Sequence, residues 1–377
     1  MRSTPPPISD LRTLISAVPR TASVPISHLQ SPISAVQRTA PPPISELRTP
    51  IPAVQRTAIP MTSCICTLVE GDFHLGLGAL TNSLIHHGFR GTLWVGYRGA
   101  LPPWAAAAKD AGRWHEFDAG SGTVLRFVPL TTKAHLTNYK PEFLVQVWEQ
   151  LQPDADHLFY FDPDIVIKAA WSFFEEWAGY GVALVEDVNS PMPESHPRRC
   201  AWVRALTRRE MTVRRETSLY VNGGFLGLHR KHRGFLDAWR RAMALVGEEI
   251  GGLEHSMFSF GATASHMQLP SYPYNKTDQD ALNIAVMTAT EPVSLMGAEG
   301  MDFRPGGWTM SHALGPEKPW RKRYVRAAMA GRPPSLADRA FWFHASKPIP
   351  VFSSFAAAWR RRTLALGGAI GRYYRRG

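Results

Sequence analysis

His157-Leu158-Phe159-Tyr160-Phe161-Asp162-Pro163-Asp164-Ile165-Val166 is an apolar run that ends at two carboxylates. A short run of this kind, rich in aromatics and halted at a proline, reads as a buried strand over 157–161. Open α/β sheets bind their ligands beyond the carboxyl ends of strands, which is where Asp162 and Asp164 stand. Two carboxylates at i and i+2 past a strand end can turn toward one cavity. Hard cations such as Mg²⁺ or Mn²⁺ take oxygen ligands of that type. By itself, an Asp-x-Asp is more commonly a turn with exposed aspartates.

The flanking sequence decides how the strand is embedded. Upstream, Cys64 to Val69 reads as a buried strand, followed by a loop from Glu70 to His74 and a helix from Gly78 to His87 stopped by Gly88. Thr92 to Tyr97 and Leu125 to Leu130 read as further strands. Pro141 to Leu151 is an amphipathic helix with Phe143, Leu144, Val147, Trp148 and Leu151 on one face. Downstream, Ala170 to Trp177 is helical and Gly181 to Val185 is a strand. Strands alternating with helices predict an α/β fold with a sheet containing parallel pairs.

The chain has 377 residues, enough for a large core, and a net charge of +11, which calls for an anionic partner. Three cysteines with no Cys-x-x-Cys pair argue against zinc and for a reducing compartment. Apolar runs fall short of the roughly 20 residues that span a bilayer, and no apolar signal segment opens the sequence, so the expected location is cytoplasmic. The first sixty residues are three 18-residue units starting at Pro5, Ser23 and Pro41. Their prolines remove backbone donors, and such short units bury no core, so 1–60 is expected to be disordered. Near-perfect repetition just before the first predicted strand also suggests Met61 as the true initiator. A folded domain is expected over 61–350 and a basic, aromatic tail over 351–377.

Three further stretches carry candidate chemistry. Tyr220-Val221-Asn222-Gly223-Gly224-Phe225-Leu226-Gly227-Leu228 reads as a buried strand with glycines where a backbone meets a ligand, or as a β-bulge. Asp278-Gln279-Asp280 opens a helix, by ordinary capping or to face a sugar. His312-x-x-Gly315-x-x-Lys318-Pro319-Trp320 offers an imidazole, a closely approachable backbone and an ammonium, a set that suits a metal-bridged phosphate. His344, before Lys347-Pro348, is a second candidate imidazole, but only His312 has the whole motif.

In order, Asp-x-Asp, Asn-x-Gly, Asp-Gln and His-x-x-Gly-x-x-Lys-Pro-Trp resemble glycosyltransferase family 8, which includes glycogenins and bacterial lipopolysaccharide glycosyltransferases. The similarity covers roughly Cys64 to Trp320. It implies a GT-A fold: a Rossmann-like nucleotide-sugar-binding half and a central mixed, mainly parallel sheet. It also implies retaining transfer of a hexose, usually UDP-linked, to a glycan or lipopolysaccharide-type acceptor. Residue by residue, it implies that Asp162, Asp164 and His312 bind Mn²⁺ (or Mg²⁺), and that Gly315 and Lys318 hold the diphosphate. Asn222, Gly223, Asp278 and Gln279 would line the sugar, with Gln279 nearest the reacting face. Lys140 would contact the donor sugar, and Phe73 would stand where the family stacks a tyrosine on uracil.

Gly223 replaces the family's usual serine or alanine, and residues 186–216 match poorly. With no obvious nucleophile, retention calls for front-face attack. The C-terminal segment from Trp359-Arg360-Arg361-Arg362 to Tyr373-Tyr374-Arg375-Arg376 mixes cations with aromatics, as at an anionic membrane surface on the inner face. Two rival classes fit the sequence less well. A sugar-nucleotide nucleotidyltransferase normally has a cationic, Gly-rich loop after its first strand, which Glu70-Gly71-Asp72-Phe73-His74 lacks. Nucleic-acid binding would explain the charge but not four ordered motifs.

Overall fold

The β-branched and aromatic runs picked out above condense into one sheet in the computed structural model of the chain, which describes residues 62–256, 269 and 271–374. The repeats, Met61, Arg375 and Arg376 lie outside the described residues.

The chain begins with β1 (Ser63–Glu70), α1 (His74–His86), β2 (Gly91–Arg98), β3 (Lys109–Asp110), β4 (His115–Gly120) and β5 (Thr123–Pro129). Next come α2 (Lys140–Gln146), β6 (His157–Phe161), β7 (Ile165–Ile167), α3 (Trp171–Tyr180), β8 (Val182–Val185) and α4 (Pro197–Arg208). They are followed by β9 (Phe225–His229), α5 (Gly234–Ile250), α6 (Thr277–Thr288), β10 (Val293–Met296) and β11 (Met310–His312). Three helices close the described chain: α7 (Tyr324–Met329), α8 (Leu336–His344) and α9 (Ser354–Tyr374).

Among the described residues the main sheet has nine strands, ordered β10-β8-β9-β6-β1-β2-β5-β4-β3. β1 pairs parallel with β2 and β6, β2 with β5, and β10 with β8. The antiparallel pairs involve β9 or β4, so those two strands alone run against the others. The sheet is mixed and mainly parallel, as expected. Side chains on its two faces feed separate apolar clusters: Cys64 and Cys66 belong to one with α2, α5 and α6, and Ile65 to the other with α1 and α3. The period of two along β1 is therefore expressed as two cores, one on each face.

Three expectations shift locally. Helix α1 begins at His74, a turn earlier than Gly78. The predicted helix over 141–151 is α-helical only to Gln146, and Val147–Leu151 widens into a π turn. The strand expected from Tyr220 starts at Phe225, because Asn222-Gly223-Gly224 forms a turn instead of continuing the ladder.

A separate two-stranded pair does much to position the site. β11 lies antiparallel to β7, with His312 opposite Ile165. β7 begins directly after Asp164, so this pairing carries the histidine motif to the end of β6.

The last helix, α9, packs on α7 and α8, burying Ala357 and Leu364 beside Trp342 and Tyr324. Among the described residues no helix is long and apolar enough to cross a membrane.

Candidate metal and diphosphate site

The turn after β6 is shaped by its own backbone. Asp162 N–H donates to Gly224 O (2.7 Å) and Ile165 N–H to Asp162 O (3.0 Å). Pro163 therefore sits in a tight corner, and both flanking carboxylates turn to one side. His312 arrives there with Nε2 3.3 Å from Asp164 Oδ1 and 3.8 Å from Asp162 Oδ2. One ligand atom from each of Asp162, Asp164 and His312 lies within 4.8 Å of the others. Among the described residues this is the one such cluster of three.

Two observations test whether a divalent ion suits these residues. The donor set is two carboxylates and one imidazole, which favours Mn²⁺ over Mg²⁺ because the latter rarely accepts nitrogen. In addition, Gly224 leaves the space: a Cβ there would stand 2.6 Å from His312 Cε1 and 3.0 Å from Asp162 Oδ2. The second glycine of the Asn-Gly-Gly stretch thus serves a close approach, and its neighbours are the candidate ligands themselves. The residues fit the ion.

Two lysines neutralise the acids. Lys318 Nζ pairs with Asp164 Oδ2 and donates to Ala313 O (2.8 Å). Burial alone would raise the pKa of Asp164, but the Lys318 ammonium and His312 outweigh it and hold the carboxyl well below its ordinary range. Lys140 is 1% exposed and reaches Asp278 Oδ2 (2.8 Å), Gly223 O (2.9 Å) and Asp162 Oδ1 (3.0 Å). Burial would lower its pKa, and the Asp162 and Asp278 carboxylates more than reverse this, keeping it firmly protonated. Tyr160 OH donates to Asp162 Oδ1 (2.8 Å), which fixes that carboxylate from below the sheet end.

The sequence candidates for the sugar gather next to this centre. Gln279 Oε1 accepts from Gly223 N–H (3.0 Å), while its Nε2 is buried without a partner. Asn222 Nδ2 donates to Asp187 Oδ2 (2.6 Å) and its Oδ1 accepts from Gly224 N–H (2.9 Å). Gly315 adopts φ +83°, in the region that favours glycine, and turns the chain between His312 and Lys318. Phe73 meets Trp320 edge-on at 5.7 Å.

His344 is brought elsewhere. It packs against His86 and His87, and burial beside those two rings pushes its pKa down to about 3.

Sequence reasoning missed Asp187. It is buried, follows β8, and takes Asn222 Nδ2 and Asn189 N–H, with Lys276 Nζ at 3.5 Å. The strand-end rule that selected Asp162 and Asp164 applies equally to a carboxylate just beyond Val185. Asp280, in contrast, is a brace. Its carboxylate takes Arg198, Tyr220 OH (2.6 Å) and Lys276 N–H (2.8 Å), and burial raises its pKa to about 6 against the pull of Arg198.

No model of a known protein family matches the chain, and no curated protein matches it. Solved structures do. The bifunctional glycosyltransferase WbbM, in its apo form, aligns at 15% identity and a TM-score of 0.46, over 80% of this chain and 52% of its own. The glycosyltransferase GlyE of Streptococcus pneumoniae TIGR4 aligns at 11% identity and 0.42, over 81% of this chain and 64% of its own. The chain thus spans between about half and two thirds of these proteins. The likenesses are distant.

Proposed function

We propose that the chain is a metal-dependent, retaining glycosyltransferase of GT-A type that moves a hexose from a UDP-sugar to a glycan or lipid-linked acceptor. The carrying observation is the convergence of Asp162, Asp164 and His312 beyond β6, with the Lys318 ammonium on the same Asp164 carboxylate. Asp162, Asp164 and His312 would hold a divalent ion, which when bound neutralises charge on a diphosphate. Lys318 adds a second positive charge where a departing diphosphate accumulates negative charge.

Beside this centre, the unpartnered Gln279 Nε2 is available to a sugar hydroxyl or ring oxygen. Asp278 is tied to Lys140 and makes a poor nucleophile. That supports front-face attack: the acceptor oxygen bonds to the anomeric carbon on the side from which the phosphate oxygen leaves, and the acceptor's proton passes to that phosphate. Asp187 holds Asn222, and Gly223 adjoins Asp278 and Gln279.

The test is calorimetric titration of UDP into the full chain with and without Mn²⁺. Metal-dependent binding is expected. A folded protein that binds UDP in neither condition would remove the proposal's basis.

An anionic membrane surface is part of the same proposal. On α9, Phe355, Trp359, Arg362, Leu366 and Tyr373 are exposed and recur at helical spacing along one side, with Arg361 and Arg372 nearby. Aromatics and arginines in that pattern suit a lipid headgroup layer, where each nearby cation adds about 1 kcal/mol. Cosedimentation with anionic but not neutral liposomes is expected, and it should be lost in a Phe355→Ala/Trp359→Ala double variant. Equal sedimentation of the variant would remove α9 as the anchor.

A further inference from the structure

The loop that follows β1 and the segment that follows β11 are joined at one carboxylate. Asp72 Oδ2 accepts from Trp320 Nε1 (2.9 Å) and Arg321 Nε (2.6 Å), and Asp72 Oδ1 accepts from Arg321 Nη2. This is the two-pronged guanidinium–carboxylate geometry, supplemented by a buried indole. Trp320 is nearly buried, wedged against Phe73 and, at 5.4 Å, against Phe341. The cations of the segment also lie over Phe73: Lys318 Nζ at 5.7 Å and the Arg321 guanidinium at 5.8 Å from the ring centroid. Phe73 adjoins Asp72 in sequence. The residue proposed to meet the base and the residue proposed to meet the diphosphate therefore depend on the same few contacts.

We propose that Asp72 is a positioning residue, a latch that fastens the segment from Ala313 to Lys322 across the donor site and so aims Lys318 at the diphosphate. The inference rests on the donor-site reading given under Proposed function. Ahead of both moorings, between His312 and Lys318, the segment turns at Gly315, whose positive φ glycine adopts without strain. One mooring is Lys318 on Asp164, the contact that a diphosphate would compete for. The other is Asp72, whose donors are the Trp320 indole and the half-exposed Arg321 guanidinium. Without Asp72 the segment has to be ordered at the moment of binding, and affinity falls by the cost of that ordering.

The experiment uses the full chain in four forms: wild type, Asp72→Ala, Arg321→Ala and the double variant. UDP with Mn²⁺ is titrated into each by calorimetry, and backbone hydrogen exchange is followed without ligand. Each single variant is expected to bind UDP roughly ten-fold more weakly, and the double variant no more weakly than Asp72→Ala, since the two side chains act as one contact. Exchange over 313–322 should quicken in all three variants while the sheet is unaffected, and Asp72→Glu should recover part of both effects. If wild type binds and the variants match it, or if the two losses multiply, the latch is overturned and the donor reading stands. If folded wild type binds no UDP, the donor reading falls and takes the latch's purpose with it.

Discussion

Asp164→Ala is expected to abolish Mn²⁺-dependent UDP binding and to lower turnover by about 10³-fold. The size follows from how many partners meet on this carboxylate. Asp164 is buried, faces His312 with one oxygen and Lys318 with the other, and stands between them. Removing it takes one of three candidate ligands away and leaves the Lys318 ammonium without its main counter-charge. Asp164→Asn keeps the volume but not the charge, so it should resemble alanine in metal dependence while folding more like wild type. Isothermal calorimetry against Mn²⁺ and UDP, together with hexose release from UDP-glucose or UDP-galactose, measures both effects. Full turnover in Asp164→Asn that withstands chelator would rule out the metal-centred proposal.

The second large effect is on stability. Lys140→Met is expected to cost about 3 kcal/mol, because it takes the buried cation away from the buried Asp278 and the partly exposed Asp162. Methionine matches the length of the stem, so the loss reports charge rather than a cavity. For a chain of this size the melting temperature should drop by roughly 10 °C. Adding Asp278→Asn to Lys140→Met removes one of the stranded charges and should regain part of the loss. Thermal and urea unfolding of the two variants settle the point. A Lys140→Met protein as stable as wild type would mean that the acids are relieved by some other group.

Where local pattern and tertiary packing agreed, the sequence was legible. β1, β2, β5 and β6 are short runs rich in apolar and β-forming residues, so their positions followed from local composition. The Asn222-Gly223-Gly224 stretch did not follow. Its apolar flanks resemble a continuous strand, yet Gly224 is needed beside His312, and the turn that brings it there interrupts the ladder.

The chemistry divides in the same way. Asp162, Asp164, His312 and Lys318 could each be selected from residue type and spacing, because a strand end and a tight Gly-containing motif are local facts. His344 has a similar local setting, an apolar run before and a Lys-Pro after, and only the fold separates the two. His312 pairs through β11 with β7 and meets the aspartates, whereas His344 ends α8 against His86 and His87. Asp187 stands just past the strand ending at Val185, a local mark of the same kind as that of Asp162, but its partners Asn222 and Lys276 come from distant elements. The strands, the charge and the types of group that gather here can be read along the chain, since these depend on neighbours within a few residues. Which histidine meets the acids, the burial of Lys140 between two of them and the tie that Asp72 makes between two loops come from folding, because Coulomb and hydrogen-bond energies depend on distance in space and not along the chain.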